Sequence, residues 1–306
     1  MKTVGVILSS FNGKRFIRDQ IDSILNQDGV SVDLYIRDDG SKDGTRGILK
    51  RYSERSNVFI VLGENQGVGN SFMELLYSLP DCYDYYAFSD QDDVWMEDKL
   101  QTAVDRLEGE QAVLYGSNLL CVDKDLNPIG MLYDTNKVFC DTLLPALIRT
   151  GLYGCTLVFT RDFFKMLCNR RPSRRLMKIT LHDQWVPACA VAVGKIIYDQ
   201  DAHIQYRRHG KNYTSIKNGF FQRLRERAQI LCSLDRHHWR SFRAREMIRC
   251  YPEYVERDKD AERIYNLALP EGVKKRYRLI RDRRYYIVST GEPEYWFALK
   301  ALIGFI

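Results

Sequence analysis

Four short apolar runs, at residues 4–8, 32–36, 58–62 and 85–88, divide the first hundred residues of this chain. Each stops at a polar loop and leads into residues with helical spacing, as Phe16, Ile17, Ile21, Ile24 and Leu25 do within 14–27. Near-continuous apolar runs are the pattern of strands covered by helices on both faces. Repeated strand–loop–helix units predict an α/β fold with a mainly parallel sheet. Ligands bind where the carboxyl ends of such strands gather. The loops there hold residues 9–12, 38–41, 65–70 and 90–93. They offer hydrogen-bonding groups for a base and ribose, glycines for close approach to phosphate, and carboxylates for a cation. No GxGxxG turn follows the first run and no Gly-Lys-Ser/Thr occurs, so the dinucleotide fingerprint and the P-loop are absent. Gly67-Val68-Gly69 alone reads as a plain turn.

The fourth run carries the most chemistry. After the apolar Tyr85, Tyr86, Ala87 and Phe88, the chain places Asp90, Asp92 and Asp93 within four residues. Like charges this close repel unless water, a cation or a basic partner neutralises them. Carboxylate oxygens at a strand end suit Mg²⁺ or Mn²⁺, which commonly bind phosphate oxygens in turn. Taken by itself, the run also fits a solvated acidic turn with Asp93 near the start of the next helix.

The chain has 306 residues, enough for one large domain or a domain with an appendage. No apolar run approaches the ~20 residues of a membrane span. The first 13 residues show no cleavage signal, so a cytoplasmic protein with reduced thiols is expected. Eight cysteines lie scattered without a CxxC pair, which removes metal-finger and redox-motif readings. The net charge of +6 hides a split. Residues 1–203 carry 23 basic against 28 acidic side chains, and residues 204–306 carry 23 against 12. A mildly acidic body thus precedes a basic tail that suits an anionic partner.

Further along, the pattern predicts a helix over 99–107, strands at 112–115 and 119–122, and a turn-rich span at 125–136. A short helix over 143–148, a strand at 156–159 and a helix from 163 follow, then a mobile basic loop at 170–178. Leu181-His182-Asp183-Gln184-Trp185 heads a helix to about 193, and a strand covers 195–198. Asp43 is the expected N-cap of a helix at 44–53. Helices are expected over 220–234, 239–251, 253–269 and 272–286. Residues 295–306 are apolar almost all round and fit either an interfacial membrane helix or a buried packing or dimer helix.

Four segments together resemble family 2 glycosyltransferases, the inverting GT-A enzymes, and especially bacterial rhamnosyltransferases of cell-wall and capsule synthesis. They are Ser9-Ser10-Phe11-Asn12-Gly13, Ile36-Arg37-Asp38-Asp39-Gly40-Ser41, Asn65-Gln66-Gly67 and Phe88-Ser89-Asp90-Gln91-Asp92-Asp93-Val94-Trp95, in the family's order. The resemblance covers residues 1–215, expected to form a Rossmann-like GT-A domain. Residues 216–306 are then a basic helical extension for dimer or membrane association. It implies that Ser9, Phe11, Asn12, Asp38, Asp39, Asn65, Gly67 and Asp90 bind the nucleotide. Asp39 accepts from a pyrimidine imide, and Asp38 assists or fixes the loop. Asp92 and Asp93, with His209 from Tyr-Arg-Arg-His-Gly, are the implied metal-site residues, for Mn²⁺ or Mg²⁺. Asp183 is the implied catalytic base, with Trp185 as the apolar contact that raises its pKa.

The expected activity is transfer of L-rhamnose from dTDP-β-L-rhamnose to a lipid-linked saccharide at the inner membrane face. A UDP-hexose or UDP-N-acetylhexosamine donor is the alternative, and a metal-dependent nucleotidyltransferase is a further one. Nucleic-acid binding is not expected, because the basic residues form no recognisable motif.

Overall fold

The computed structural model describes residues 1–133, 141–208, 239–269, 273–282, 284–287 and 298. Its contacts divide the chain into two compact units whose segments alternate. The first comprises residues 1–139, 152–169 and 194–209; the second comprises 140–151, 170–193 and 210–306. The boundary expected at residue 215 falls among residues that are not described.

Among the described residues of the first unit, nine strands form one sheet: β1 (Lys2–Ser10), β2 (Val30–Asp38), β3 (Val58–Leu62), β4 (Tyr85–Ser89), β5 (Val94–Trp95), β6 (Leu114–Val122), β7 (Pro128–Met131), β8 (Val158–Thr160) and β9 (Ile196–Arg207). The order is β3-β2-β1-β4-β8-β6-β9-β5, with β7 beside β6. β1 pairs in parallel with β2 and β4, and β2 with β3. β8 runs antiparallel to β4 and β6, while β6 and β9 are parallel. Helices α1 (Ile17–Leu25), α2 (Thr45–Tyr52), α3 (Val68–Ser78) and α4 (Lys99–Glu110) follow the first strands, and α6 (Arg161–Asn169) follows β8.

The run at 4–8 is legible as a central strand because Val4, Val6, Ile7 and Leu8 are all fully buried. One face of the sheet meets Ile17, Ile21 and Ile24 of α1 in a single apolar cluster. Aromatic rings fill β4's surroundings: Tyr86 stacks on Phe164 at 3.8 Å and Phe72 meets Phe88 edge-on at 5.6 Å. Gly5 admits Tyr83, since a Cβ there would stand 2.7 Å from that ring. Tyr83 is further held by its hydroxyl, which donates to Asp33 at 2.6 Å.

The second unit is helical where described: α5 (Leu143–Ile148), α7 (Arg174–Ile179), α8 (His182–Val193), α9 (Trp239–Cys250), α10 (Pro252–Arg257), α11 (Ala261–Ala268), α12 (Val273–Arg281) and α13 (Arg284–Ile287). Its buried side chains include Leu147, Trp185, Cys189, Met247, Tyr251 and Ile264.

Several elements differ from expectation for identifiable reasons. The two short strands at 112–115 and 119–122 are the single β6. Its polar middle stays in the sheet because Asn118 donates to the Tyr133 and Gln200 carbonyls at 2.9 and 3.2 Å. The strand at 195–198 continues to Arg207 because Asp199 is taken up by Tyr115 (2.9 Å) and Arg106 (3.3 Å). The helix expected over 253–269 breaks at Asp258, whose Oδ1 accepts the Asp260 N–H at 2.7 Å. The basic loop at 170–178 includes α7, and Arg170 is anchored to Glu253 at 2.6 Å. The N-cap of α2 is Gly44 at φ 97°, with Asp43 one residue earlier accepting the Thr45 N–H at 3.0 Å.

Replacing Gly5 by alanine forces the Tyr83 ring aside. Urea denaturation should show a loss of about 1–3 kcal/mol with an unchanged slope.

Candidate active site

The parallel pairing of β1 and β2 sets Ser10 beside Asp38, and side chains past both strands bond across the gap. Asp38 is fully buried. Its Oδ1 accepts the Ser41 N–H at 3.0 Å and Arg46 Nε–H at 2.7 Å; its Oδ2 accepts the Ser10 hydroxyl at 3.3 Å. Burial alone pushes its pKa up, but the bonds from Ser41 and Arg46 outweigh it and hold the carboxyl below its usual range. Asp38 therefore shapes the loop.

Asp39 is also buried and pairs with Arg37, a residue the sequence reading passed over. Its oxygens accept the Gln66 and Gly67 N–H groups, both at 3.1 Å. Arg37 reaches the Ser71 hydroxyl at 3.0 Å and the Glu64 carbonyl at 3.1 Å. The loop after β2 is thus tied to the loop after β3 and to α3 through one carboxylate and one guanidinium. Ser9 Oγ lies 2.6 Å from Ser71 Oγ. Asn12, at φ 50°, donates its N–H to Ser41 Oγ at 2.8 Å and accepts the Lys42 N–H on Oδ1 at 2.8 Å. Gly40 lies at φ 89°, and a Cβ there would stand 3.0 Å from the Asn65 nitrogen. Asn65 and Gly67 are exposed, as is Phe11 at 45%.

The acidic loop after β4 joins the same edge through Gln91. Gln91 Oε1 accepts the Phe11 N–H at 2.9 Å and its Nε2 donates to the Phe11 carbonyl at 3.0 Å. Asp90 and Asp92 are half-buried, whereas Asp93 is fully buried. This corrects the solvated-turn alternative, because Asp93 points inward. Its Oδ1 accepts the Arg207 N–H at 3.1 Å, while Oδ2 has no hydrogen-bond partner among the described residues. Burial, then Asp92 and Asp90, push its pKa well up. One oxygen each from Asp90 and Asp93 and the Cys155 sulfur lie within 4.8 Å of one another. Two close carboxylates with a buried, unspent oxygen fit a small divalent cation. Asp92 neighbours this group without belonging to it. Cys155 gave no sequence signal, being an isolated cysteine in an apolar stretch. Beyond it, the fully buried Lys99 lies 3.6 Å from the centre of the Trp95 ring, and burial pulls its amine down to about 7. His209 lies outside the described residues.

In the second unit, Asp183 is the second residue of α8. It is half-buried, and its Oδ1 is shielded from solvent without a hydrogen-bond partner among the described residues. The Thr150 hydroxyl donates to the Asp183 carbonyl at 3.0 Å. Burial pushes the Asp183 carboxyl up to about 6, and Arg243 pulls in the opposite direction. Trp185 is fully buried two residues on, packed near Tyr251 with ring centres 6.4 Å apart. Burial keeps the neighbouring His182 neutral by taking its pKa down to about 3.

A carboxyl raised to about 6 in the folded chain contributes stability fully only below its ordinary pKa near 3.8, and loses it as pH rises through 6. Asp183→Asn removes that loss. Its melting temperature should rise relative to wild type between pH 4 and 7 and gain nothing below pH ~4.

Comparisons with known proteins agree with this geometry. The family model described as Glycosyl transferase family 2 matches residues 5–166, more than half of the chain. A dTDP-rhamnosyl transferase, RfbG of Shigella flexneri, is 28% identical over 223 residues, covering 70% of this chain and 75% of that protein. The crystal structure of S. aureus TarS 1–349 superposes with a TM-score of 0.61 at 15% identity, covering 100% of this chain and 89% of TarS. A Pyrobaculum calidifontis mannosyltransferase, PcManGT, solved with GDP-Man and Mn²⁺, superposes with a TM-score of 0.53 at 16% identity, covering 98% and 86%. With its mainly parallel sheet and the polar loops at the strands' carboxyl ends, the chain has the GT-A fold and belongs to glycosyl transferase family 2: it is a glycosyltransferase.

Proposed function

We propose that the chain transfers L-rhamnose from dTDP-β-L-rhamnose, with inversion at the anomeric carbon, to a lipid-linked saccharide in bacterial surface polysaccharide synthesis. The observation that carries the reading is the set of loops after β1, β2, β3 and β4, bonded into one rim by Asp39, Arg37, Asn12 and Gln91. The likeness to a protein named for dTDP-rhamnosyl transfer supports the sugar. A UDP-sugar donor is the second reading, favoured by the match to TarS, which was also solved with UDP-GlcNAc.

In this reading Ser9, Asn12, Asp38, Asn65 and Gly67 frame the nucleoside, and the exposed Phe11 ring offers its face to the base. Asp39 accepts from the imide N–H of thymine or uracil. Asp90, Asp92 and Asp93, with His209 implied by resemblance, hold Mn²⁺ or Mg²⁺. The ion, when bound, neutralises the departing nucleoside diphosphate. Asp183 accepts the proton of the attacking hydroxyl. Its raised pKa makes it a better base while leaving it ionised near neutral pH.

Incubation of dTDP-β-L-rhamnose or UDP-GlcNAc with the protein and Mn²⁺ should release the free nucleoside diphosphate; release of the sugar 1-phosphate instead identifies a nucleotidyltransferase. Asp183→Asn should lower turnover by about 10²–10⁴-fold. Asp92→Ala should abolish the dependence on Mn²⁺, and full activity in both variants removes the assigned roles. A dTDP-specific thermal stabilisation favours rhamnose, and a UDP-specific one favours the second reading.

Among the described residues no helix is long and apolar enough to cross a membrane. The basic final third suits an anionic lipid surface that presents the acceptor, with self-association of the same tail as the other proposal. The full chain should co-sediment with phosphatidylglycerol vesicles at low salt and be released at high salt. A salt-independent homodimer without lipid binding decides for self-association.

A further inference from the structure

Arg243, on α9, is a fully buried guanidinium to which sequence reasoning assigned no role. Its bonds converge on the start of α8 from two directions. Nη2 donates to the Thr180 hydroxyl at 2.7 Å, two residues before α8 begins. Nη1 donates to the Leu147 carbonyl at 3.3 Å, with the Ala146 carbonyl at 3.5 Å, both in α5. Just past α5, Thr150 holds the carbonyl of Asp183 itself. The Trp239 ring lies 4.6 Å from the guanidinium carbon and fixes its plane.

We propose that Arg243 is the positioning residue for Asp183: its planar fork clamps the two segments that set the first turn of α8, and its buried charge faces the Asp183 carboxylate. The inference rests on the reading of Asp183 as the base. A lysine cannot reproduce the clamp, because an ammonium is a point charge without a rigid, planar set of donors. The side chains of Arg243 and Asp183 form no ion pair within 4.0 Å, so the attraction acts without a direct bond that would occupy the base. Arg243 Nε and Asp183 Oδ1 are each left without a hydrogen-bond partner among the described residues. Among the described residues, the other titratable groups acting on this pair are His182 beside Asp183, Arg240, which opposes the Arg243 charge, and Cys189. His182 and Cys189 are kept neutral by burial, leaving Arg243 as the opposing charge among the described residues.

The test is a thermodynamic cycle read by thermal unfolding of the full chain between pH 4 and pH 8. It uses wild type, Asp183→Asn, Arg243→Met and the double variant. With Arg243 present, Asp183→Asn raises the melting temperature at pH 7. With Arg243→Met the gain should be larger, and its midpoint should move up by about 1 pH unit. An equal gain and an unmoved midpoint in the two backgrounds overturn the proposal. Turnover is read by nucleoside diphosphate release from whichever donor supports it. Arg243→Met should shift the rising limb of its pH profile upward, and Arg243→Lys should keep the limb in place while lowering kcat. Thr180→Val, which removes one bond and no charge, should lower kcat with an unmoved limb, and it serves where Arg243→Met does not fold. A Thr180→Val enzyme with unchanged kcat overturns the clamp. Full activity in Asp183→Asn overturns the base reading instead, whatever the cycle shows.

Discussion

Everything at the candidate donor site depends on β1, β2, β3 and β4 running the same way. Parallel neighbours end together, so their last carbonyls and the first N–H groups beyond them crowd one edge with no strand left to pair with. The chain satisfies them with short side chains from the neighbouring loop. Asp38 takes the Ser41 N–H, Asn12 takes the Lys42 N–H, and Asp39 takes those of Gln66 and Gly67. The groups that close the sheet are those proposed to meet the nucleotide. Substitution there therefore disturbs the scaffold as well as recognition.

The carboxylates of this protein are sorted by what surrounds them. Asp38 is buried among donors and is held low, whereas Asp93 is buried beside other carboxylates and is driven high. Asp183 stands between: burial raises it and a guanidinium on another helix restrains it. Identical side chains thus serve as a loop staple, a proposed seat for a cation and a proposed proton acceptor. The distinction comes from partners supplied by distant parts of the sequence.

Much of the first unit was legible because its first four strands are mostly apolar and the loops after them mostly polar. Residues 4–8 and 85–88 have no reading other than central strands, and Asp90 to Asp93 stand out at the end of one. The sheet's far half was harder. The polar centres of β6 and β9 look like turns until Asn118 finds the Gln200 carbonyl and Asp199 finds Tyr115, more than 80 positions away. Arg37 lay in plain view inside a matched segment, yet its pairing with Asp39 needed the fold. Arg243 had no local mark at all, being one arginine in a helix rich in them. Asp183 was found by resemblance, and its shielded environment follows from the packing of α8.

Gln91 occupies the middle of the acidic triplet, a position that attracts little notice beside three carboxylates. Its amide meets both backbone groups of Phe11, as the next residue of a neighbouring strand would. That side chain ties the two strands together again past Leu8 and Ser89, their last backbone pair. The ring proposed to receive a base and the acids proposed to receive an ion therefore ride on one rigid splice. A ligand that shifts either end is felt mechanically at the other.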